Sequence, residues 1–366
     1  MFAEGKPLGH MGFMVAGQHA GRPIDWLEIA IANAFGNKGT WVDRHEWVAK
    51  PENRELIKAV SIDPGLIWRR EQYVAADTHG QAYPTHLPVW LDASSNGLQH
   101  LAIMWRDRKL AAMVNLKTTR ATEDNPEIQD VYDIVTAHGR QTLHADDDPS
   151  SRIWLGYNHA SQLRDLLKRP IMTLPYGVTS RGMLDQIKET CEELGIAVPF
   201  EAMVRLRDHI WKAIEEKLPG AMEARRYIQG IARHCLDRGA YMQWVTPSRF
   251  PVDNRYRKSK APRVRLPFLG QSVTIADGYT DEPREQKIID SAVANFTHSM
   301  DAAHLALSVN AAVDRGITNI MTIHDCFGAL APDVHHFGQI RRWELVKMAL
   351  YNPLAVLAFC LIGCRP

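Results

Sequence analysis

The stretch TIHDCFGALAPD, Thr322 to Asp333, constrains the fold more than any other part of the chain, because it sets an ionisable His324-Asp325 pair between two apolar runs. NIMTI before the pair and CFGAL after it are runs of about five residues, the length and character of short buried strands, with a turn-capable break between them. The pattern predicts a hairpin with a carboxylate at its tip. Asp325 there either shapes the turn through its own side-chain hydrogen bonds or does chemistry. The choice turns on whether the rest of the chain supplies a partner carboxylate.

Elsewhere the periodicity is mainly helical. Residues 24–36 (IDWLEIAIANAFG) read as a helix stopping at Gly36, and LPVWL, Leu87 to Leu91, as a buried strand. After DASS, the segment NGLQHLAIMWRDRKLAAMV repeats apolar residues at three and four and reads as one helix. Residues 124–143, 161–170, 183–194 and 201–238 are helical in composition, whereas 241–275 is rich in Pro, aromatics and alternation and reads as extended or hairpin-like. Helix returns over 285–314, and a last helix is expected from about His335 to Tyr351. The fold class expected is α+β, with strands that carry carboxylates and a long helical insert between them.

With 45% hydrophobic and 23% charged positions in 366 residues, the composition excludes disorder as the dominant state. Lys plus Arg number 43 against 42 Asp plus Glu, so any basic surface for nucleic acid must be local. Cys191, Cys235, Cys326, Cys360 and Cys364 are odd in number and lack paired spacing, which fits a reducing compartment rather than a disulfide framework or a zinc module. No apolar run approaches the about 20 residues of a membrane span, and the start has no signal-peptide architecture, so no membrane partner and a cytoplasmic location are expected.

Asp92 ends the strand LPVWL and precedes a helix, the geometry in which a side chain projects from a sheet edge toward a ligand. Ser94, Ser95 and Asn96 are better placed to cap that helix, which leaves Asp92 for chemistry. Two carboxylates on neighbouring strand ends suit Mg²⁺, a hard cation that takes oxygen ligands. Two such ions about 4 Å apart activate an attacking hydroxyl and neutralise a leaving oxygen, the chemistry of phosphoryl or nucleotidyl transfer. In SQLRDLLKRPIMTLPYG, Ser161 to Gly177, Arg164 and Lys168 are four apart on one helix face with Arg169 beside them. They form either a solvated face or a grip for a triphosphate, the Arg bidentate and the Lys a point charge able to donate a proton.

Asp92 in DASSNGLQHLAIMWRD, then Arg164, Lys168, Tyr176 and Gly177 in RDLLKRPIMTLPYG, then His324-Asp325 in IHDCFGALAPD, resemble in order, spacing and residue type the polymerase motifs of the single-subunit RNA polymerases of bacteriophages and mitochondria. The likeness continues in EGKPLG, in WVTPSRFPV with PFLGQ and in ANFTHSMDAAHL, so it spans nearly the whole chain. It implies a right-hand fold, with residues 1–120 and 298–366 as palm and 121–297 as fingers. It implies that Asp92 and Asp325 hold two Mg²⁺ ions while an RNA 3′-hydroxyl attacks the α-phosphate of an NTP on a DNA template. By the same resemblance Arg164, Lys168 and Arg169 lie at the triphosphate, Tyr176 and His298 check the ribose 2′-hydroxyl, and Gly177 is a further substrate-binding residue. His324 would sit by the RNA end or simply stabilise its turn. Tyr132 in QDVYDI matches a fingers tyrosine, or is a packing residue. The basic run RYRKSKAPRVR, Arg255 to Arg265, is either a channel lining or a solvated hairpin.

The expected architecture lacks the family's thumb and amino-terminal domain, and its template-gripping Asp-x-x-Gly-Arg segment has no counterpart. A separate chain supplying the amino-terminal part is therefore an expected partner alongside DNA template, nascent RNA and NTPs. A bacterial host cytoplasm is expected for a phage-encoded chain, with a mitochondrial setting the other option. Two alternatives to an RNA polymerase core stand beside it. One is a non-catalytic remnant that binds nucleic acid. The other is a family-A-like DNA polymerase, against which DASSNGLQH weighs.

Overall fold

The computed structural model describes residues 6–7, 22–37, 39–117, 129–156, 160–260, 263–266, 271–274 and 278–362. They form a mostly helical α+β structure that divides into two compact units. The first comprises Met1–Asn96, Ala112–Gln129 and Ala302–Leu350; the second comprises Gly97–Ala111, Asp130–Asp301 and Tyr351–Pro366.

In the first unit a short antiparallel pair, β1 (Lys6–Pro7) with β2 (Pro84–Thr85), accompanies helices α1 (Pro23–Ala34), α2 (Trp41–Ala49), α3 (Pro51–Ala59) and α4 (Pro64–His79). Helix α1 ends as expected, with Gly36 in the left-handed region at φ +87°. Helices α2 to α4 are additions to the sequence reading, and each has a start signal. Thr40 and Asp43 close a capping box on α2, Pro51 opens α3, and Asp63 accepts from the Leu66 amide at 2.9 Å ahead of Pro64.

The sheet of this unit is three-stranded and antiparallel, in the order β10 (Ile320–Ile323), β11 (Cys326–Leu330), β3 (Pro88–Leu91). The hairpin expected from NIMTI and CFGAL is present, closed by His324 and Asp325, and LPVWL is the strand paired to it. Val89 lies opposite Ala329, and both join Trp26, Leu27, Ile31, Phe327, Val334 and Phe337 in one buried core. Each such large side chain contributes about 1.5–3 kcal/mol by leaving water. Gly328 faces Trp90 so closely that a Cβ there would lie 3.0 Å from the indole, which explains a glycine in mid-strand. Helix α14 (Ala331–Tyr351) follows β11 directly, four residues earlier than expected, with Pro332 in its first turn where no amide donor is needed.

The second unit is mostly helical. The helix expected after DASS is two, α5 (Asn96–Trp105) and α6 (Arg108–Met113). Arg106 turns left-handed at φ +55°, and Asp107 accepts from the Lys109 and Leu110 amides at 2.9 and 3.0 Å, capping the second piece. Then come α7 (Val131–His144), α8 (Pro149–Arg152), α9 (Ala160–Met172) and α10 (Ser180–Glu193). The expected 201–238 helix is broken at Leu218 into α11 (Phe200–Lys217) and α12 (Pro219–Asp237), since Pro219 cannot continue the amide ladder. Short hairpin strands follow as expected over the described part of 241–275: β4 (Gln243–Val245) with β5 (Pro251–Asp253), and β7 (Arg263–Leu266) with β8 (Gln271–Thr274). Strand β6 (Arg257–Ser259) pairs with β9 (Tyr279–Pro283). Helix α13 (Glu285–Val313) gives its first part to this unit and its end to the other, and α15 is Pro353–Ile362. No helix of the described residues is long and apolar enough to cross a membrane. Among the described residues Cys191, Cys235 and Cys326 are free thiols.

Candidate active site

In the first unit the carboxylates are placed by strand register. Leu91 pairs with Phe327, Trp90 with Gly328 and Val89 with Ala329. Continuing that antiparallel pairing by one residue sets Asp92 against Cys326, the residue next to Asp325. The Cys326 thiol registers both groups, being pushed up to about 11 by burial first and then by the Asp92 and Asp325 charges. Asp92 is exposed, with Oδ1 accepting from the Ala93 amide at 2.8 Å, and Asp325 is half-buried in the turn. His324 occupies φ +53°, a region His tolerates better than most side chains, which accounts for its place in the turn. Two carboxylates at one end of the three-stranded sheet, neither sealed from solvent, offer the oxygen donors that a hard divalent cation takes.

Sequence reasoning missed Arg341. Its Nη1 donates to the Leu91 carbonyl at 3.1 Å, the residue before Asp92, and its guanidinium lies 4.1 Å above the Phe327 ring, two residues past Asp325. Burial pushes the group down to about 10. The only signal, an Arg-Arg pair in a mixed helix, looks like solvated charge. A second cluster in this unit, Asp25, Glu28 and His45, has ligand atoms within 4.8 Å of one another. Its members are engaged otherwise: Arg22 holds Asp25 at 2.8 Å as part of the α1 cap, and His45 pairs with Glu28 at 2.5 Å.

In the second unit α9 carries Arg164, Lys168 and Arg169, and the three differ in surroundings. Lys168 is exposed, and Arg169 pairs with Glu189 at 2.9 Å. Arg164 turns toward the start of α7, where Nε donates to Asp130 at 3.1 Å and carboxylates of Asp133 and Asp165 lie at 3.2 and 3.3 Å. Asp130 is also the α7 cap, accepting from the Tyr132 amide at 2.9 Å, and Tyr132, largely buried, presents its ring 5.8 Å from the Arg164 guanidinium. Asp130 above all raises the Arg164 pKa, so the cation is firmly charged.

Tyr176 and His298 stack at 4.3 Å with planes 13° apart. A short 3-10 turn, Leu174–Tyr176, follows α9, and Gly177 leaves it at φ +85° with the Asp290 carbonyl 3.0 Å from where a Cβ would stand. Gly97, from the DASSNGLQH stretch, lies under the tyrosine: a Cβ there would be 2.5 Å from Pro175 Cγ and 2.8 Å from Tyr176 Oη. Within the basic run, Arg255, Arg257 and Lys258 pair with Asp253, Asp281 and Glu282 at 3.2, 3.6 and 2.8 Å, the behaviour of a solvated hairpin. The side chains of Arg263 and Arg265 lie outside the described residues.

A family sequence model described as DNA-dependent RNA polymerase matches residues 18–359. The mitochondrial DNA-directed RNA polymerase of Homo sapiens is 28% identical over 369 residues, covering 95% of this chain and 28% of that protein. The DNA-directed RNA polymerase of Pseudomonas phage phiKMV is 28% identical over 355 residues, covering 89% of this chain and 42% of its own length. T7 RNA polymerase of Escherichia phage T7 is 28% identical over 421 residues, covering 97% of this chain and 45% of that protein. The chain thus spans less than half the length of these relatives.

Proposed function

The chain belongs to the DNA-dependent RNA polymerase family, and on that premise we propose that it is the catalytic core of a nucleotidyltransferase that adds NTPs to an RNA 3′ end on a DNA template. The observation that carries this reading is the β3–β11 register, which brings Asp92 and Asp325 to one end of the sheet from positions far apart in the chain. In this reading residues 1–120 and 298–366 act as palm and 121–297 as fingers of a right-hand polymerase. Asp92 and Asp325 would hold Mg²⁺, which when bound would lower the pKa of an attacking hydroxyl and neutralise a leaving oxygen.

The remaining residues bind and orient. Lys168, exposed on α9, meets the triphosphate as a point charge and can give a proton to the departing pyrophosphate. Arg164 grips phosphate bidentately once it exchanges Asp130 and Asp133 for the substrate. Tyr176, on its His298 stack, senses the ribose 2′-hydroxyl, and a deoxynucleotide is disfavoured because it cannot make the hydrogen bond that the hydroxyl makes.

A second reading, a nucleic-acid-binding chain without turnover, draws on the carboxylates that surround Arg164. Extension of an RNA primer on a DNA template, with Mg²⁺ and NTPs, separates the two. Template-directed ribonucleotide addition supports the catalytic core. Tight binding of the primed template without addition supports the second reading, and a preference for dNTP would favour a DNA polymerase.

A further inference from the structure

Arg225, on α12, is buried to 7% exposure, yet both of its described hydrogen bonds go to main chain. Nη1 donates to the Val178 carbonyl at 2.5 Å and Nη2 to the Gly177 carbonyl at 3.3 Å, the two carbonyls immediately after Tyr176. The guanidinium lies 5.7 Å from the Trp211 ring. A charge withdrawn from water is costly unless its donors are hydrogen-bonded, and here the two carbonyls take them while the Asp290 charge offsets part of the cost. The segment it grips is the turn in which the Tyr176 and Val178 amides both donate to the Thr173 carbonyl, at 3.0 and 3.3 Å. Tyr176 leaves that turn to lie between His298 and Gly97.

We propose that Arg225 is a positioning residue for Tyr176: by holding the Gly177 and Val178 carbonyls it fixes the turn that aims the tyrosine, and so sets discrimination between ribo- and deoxynucleotides without touching the nucleotide. The proposal rests on the reading of Tyr176 as the 2′-hydroxyl sensor. A guanidinium spans two successive carbonyls with a planar fork. The single ammonium of lysine cannot reproduce that geometry, and methionine offers no donor.

The test measures equilibrium binding of a matched ribo- and deoxynucleoside triphosphate to the full chain on a primed template whose primer ends in a 3′-deoxynucleotide, so no turnover is needed. Arg225→Met, Arg225→Lys and Tyr176→Phe are compared with the unaltered chain, and thermal unfolding checks that each variant is folded. Arg225→Met should lower the ribo-over-deoxy affinity ratio by roughly tenfold, as a misplaced contact does, with Arg225→Lys intermediate. A substitution that merely loosens the fold weakens both ligands alike and leaves the ratio unchanged. If Arg225→Met does not fold, Arg225→Lys decides, a lowered ratio supporting the proposal and an unchanged one overturning it. An unchanged ratio in folded Arg225 variants, with Tyr176→Phe lowering it, overturns the role of Arg225 and leaves that of Tyr176 standing. If Tyr176→Phe leaves the ratio unchanged, or the unaltered chain has no preference, the reading of Tyr176 fails and the proposal with it.

Discussion

Leu91 and Phe327 face each other across β3 and β11, so Asp92 leaves the sheet one residue beyond the pair and Asp325 enters it two residues before. Because side chains alternate between faces, this pairing is specified by the buried set on the same strands, Val89, Phe327 and Ala329. A slip by one residue would expose that set and carry Asp92 away from the hairpin tip. The same apolar packing that stabilises the sheet therefore places the carboxylates.

Cys326 makes this placement measurable without substrate. Burial, Asp92 and Asp325 hold its thiol near 11, so at pH 9 little thiolate is available to react. Asp92→Asn removes one opposing charge and should speed alkylation of Cys326 at that pH several-fold. Mass-spectrometric labelling rates at Cys326 in both proteins check this, and equal rates would place Asp92 too far away. Because folding raises the Cys326 pKa, the protonated thiol favours the folded state below the ordinary thiol range, and that contribution is lost as pH rises toward 11.

Arg341 holds the strand end that carries Asp92. Arg341→Met keeps much of the packing on Phe327 but removes the donor to the Leu91 carbonyl. A loss of about 1–3 kcal/mol in unfolding free energy is expected from leaving that carbonyl without its partner. Urea denaturation measures it, and a loss near zero would mean that water replaces the guanidinium.

Gly97 is a glycine because of what lies above it. Gly97→Ala drives a methyl into Pro175 and Tyr176 and should cost about 1–3 kcal/mol as overpacking does. Thermal unfolding gives the cost, and a shifted tyrosine environment in near-ultraviolet dichroism should accompany it. A fully tolerated alanine would show that the turn is soft.

Asp130 holds Arg164 while it caps α7, and in the proposed role of Arg164 it competes with phosphate for that arginine. Asp130→Asn keeps a good cap, so stability should change by less than about 1 kcal/mol, yet the guanidinium loses its strongest partner and keeps Asp133 and Asp165. Nucleotide affinity should rise several-fold in a binding titration. A fall in affinity would instead mean that Asp130 aims the arginine.

The elements around the carboxylates were legible in the chain because they rest on local pattern. The hairpin came from two apolar runs with a polar break, and α1 from a periodic run with a glycine behind it. The break between α5 and α6 was hidden because apolar periodicity continues across it, while the stop lies in Arg106 and in Asp107 acting as a cap. Helices α2 to α4 have start signals but bury only Val48, Ile57, Tyr73 and Ala76 between them, too few apolar positions for pattern alone to mark them. At the site, the acidic and aromatic residues were readable by type. Arg341 and Arg225 were not, since buried and solvated arginines look alike until the fold says what surrounds them. The carboxylates around Arg164 likewise depend on how α7 and α9 pack.

In the proposed mechanism Asp92 and Asp325 act together on one reacting phosphate. The most direct measurement is the rate of Mg²⁺-dependent extension of an RNA primer on a DNA template by the unaltered chain, Asp92→Asn and Asp325→Asn. Each substitution keeps size and removes one charge from that end of the sheet. The account predicts that each lowers the rate by several orders of magnitude, as loss of charge stabilisation at a reacting phosphate does, while primed-template binding is retained. Extension near the unaltered rate by either variant would contradict it.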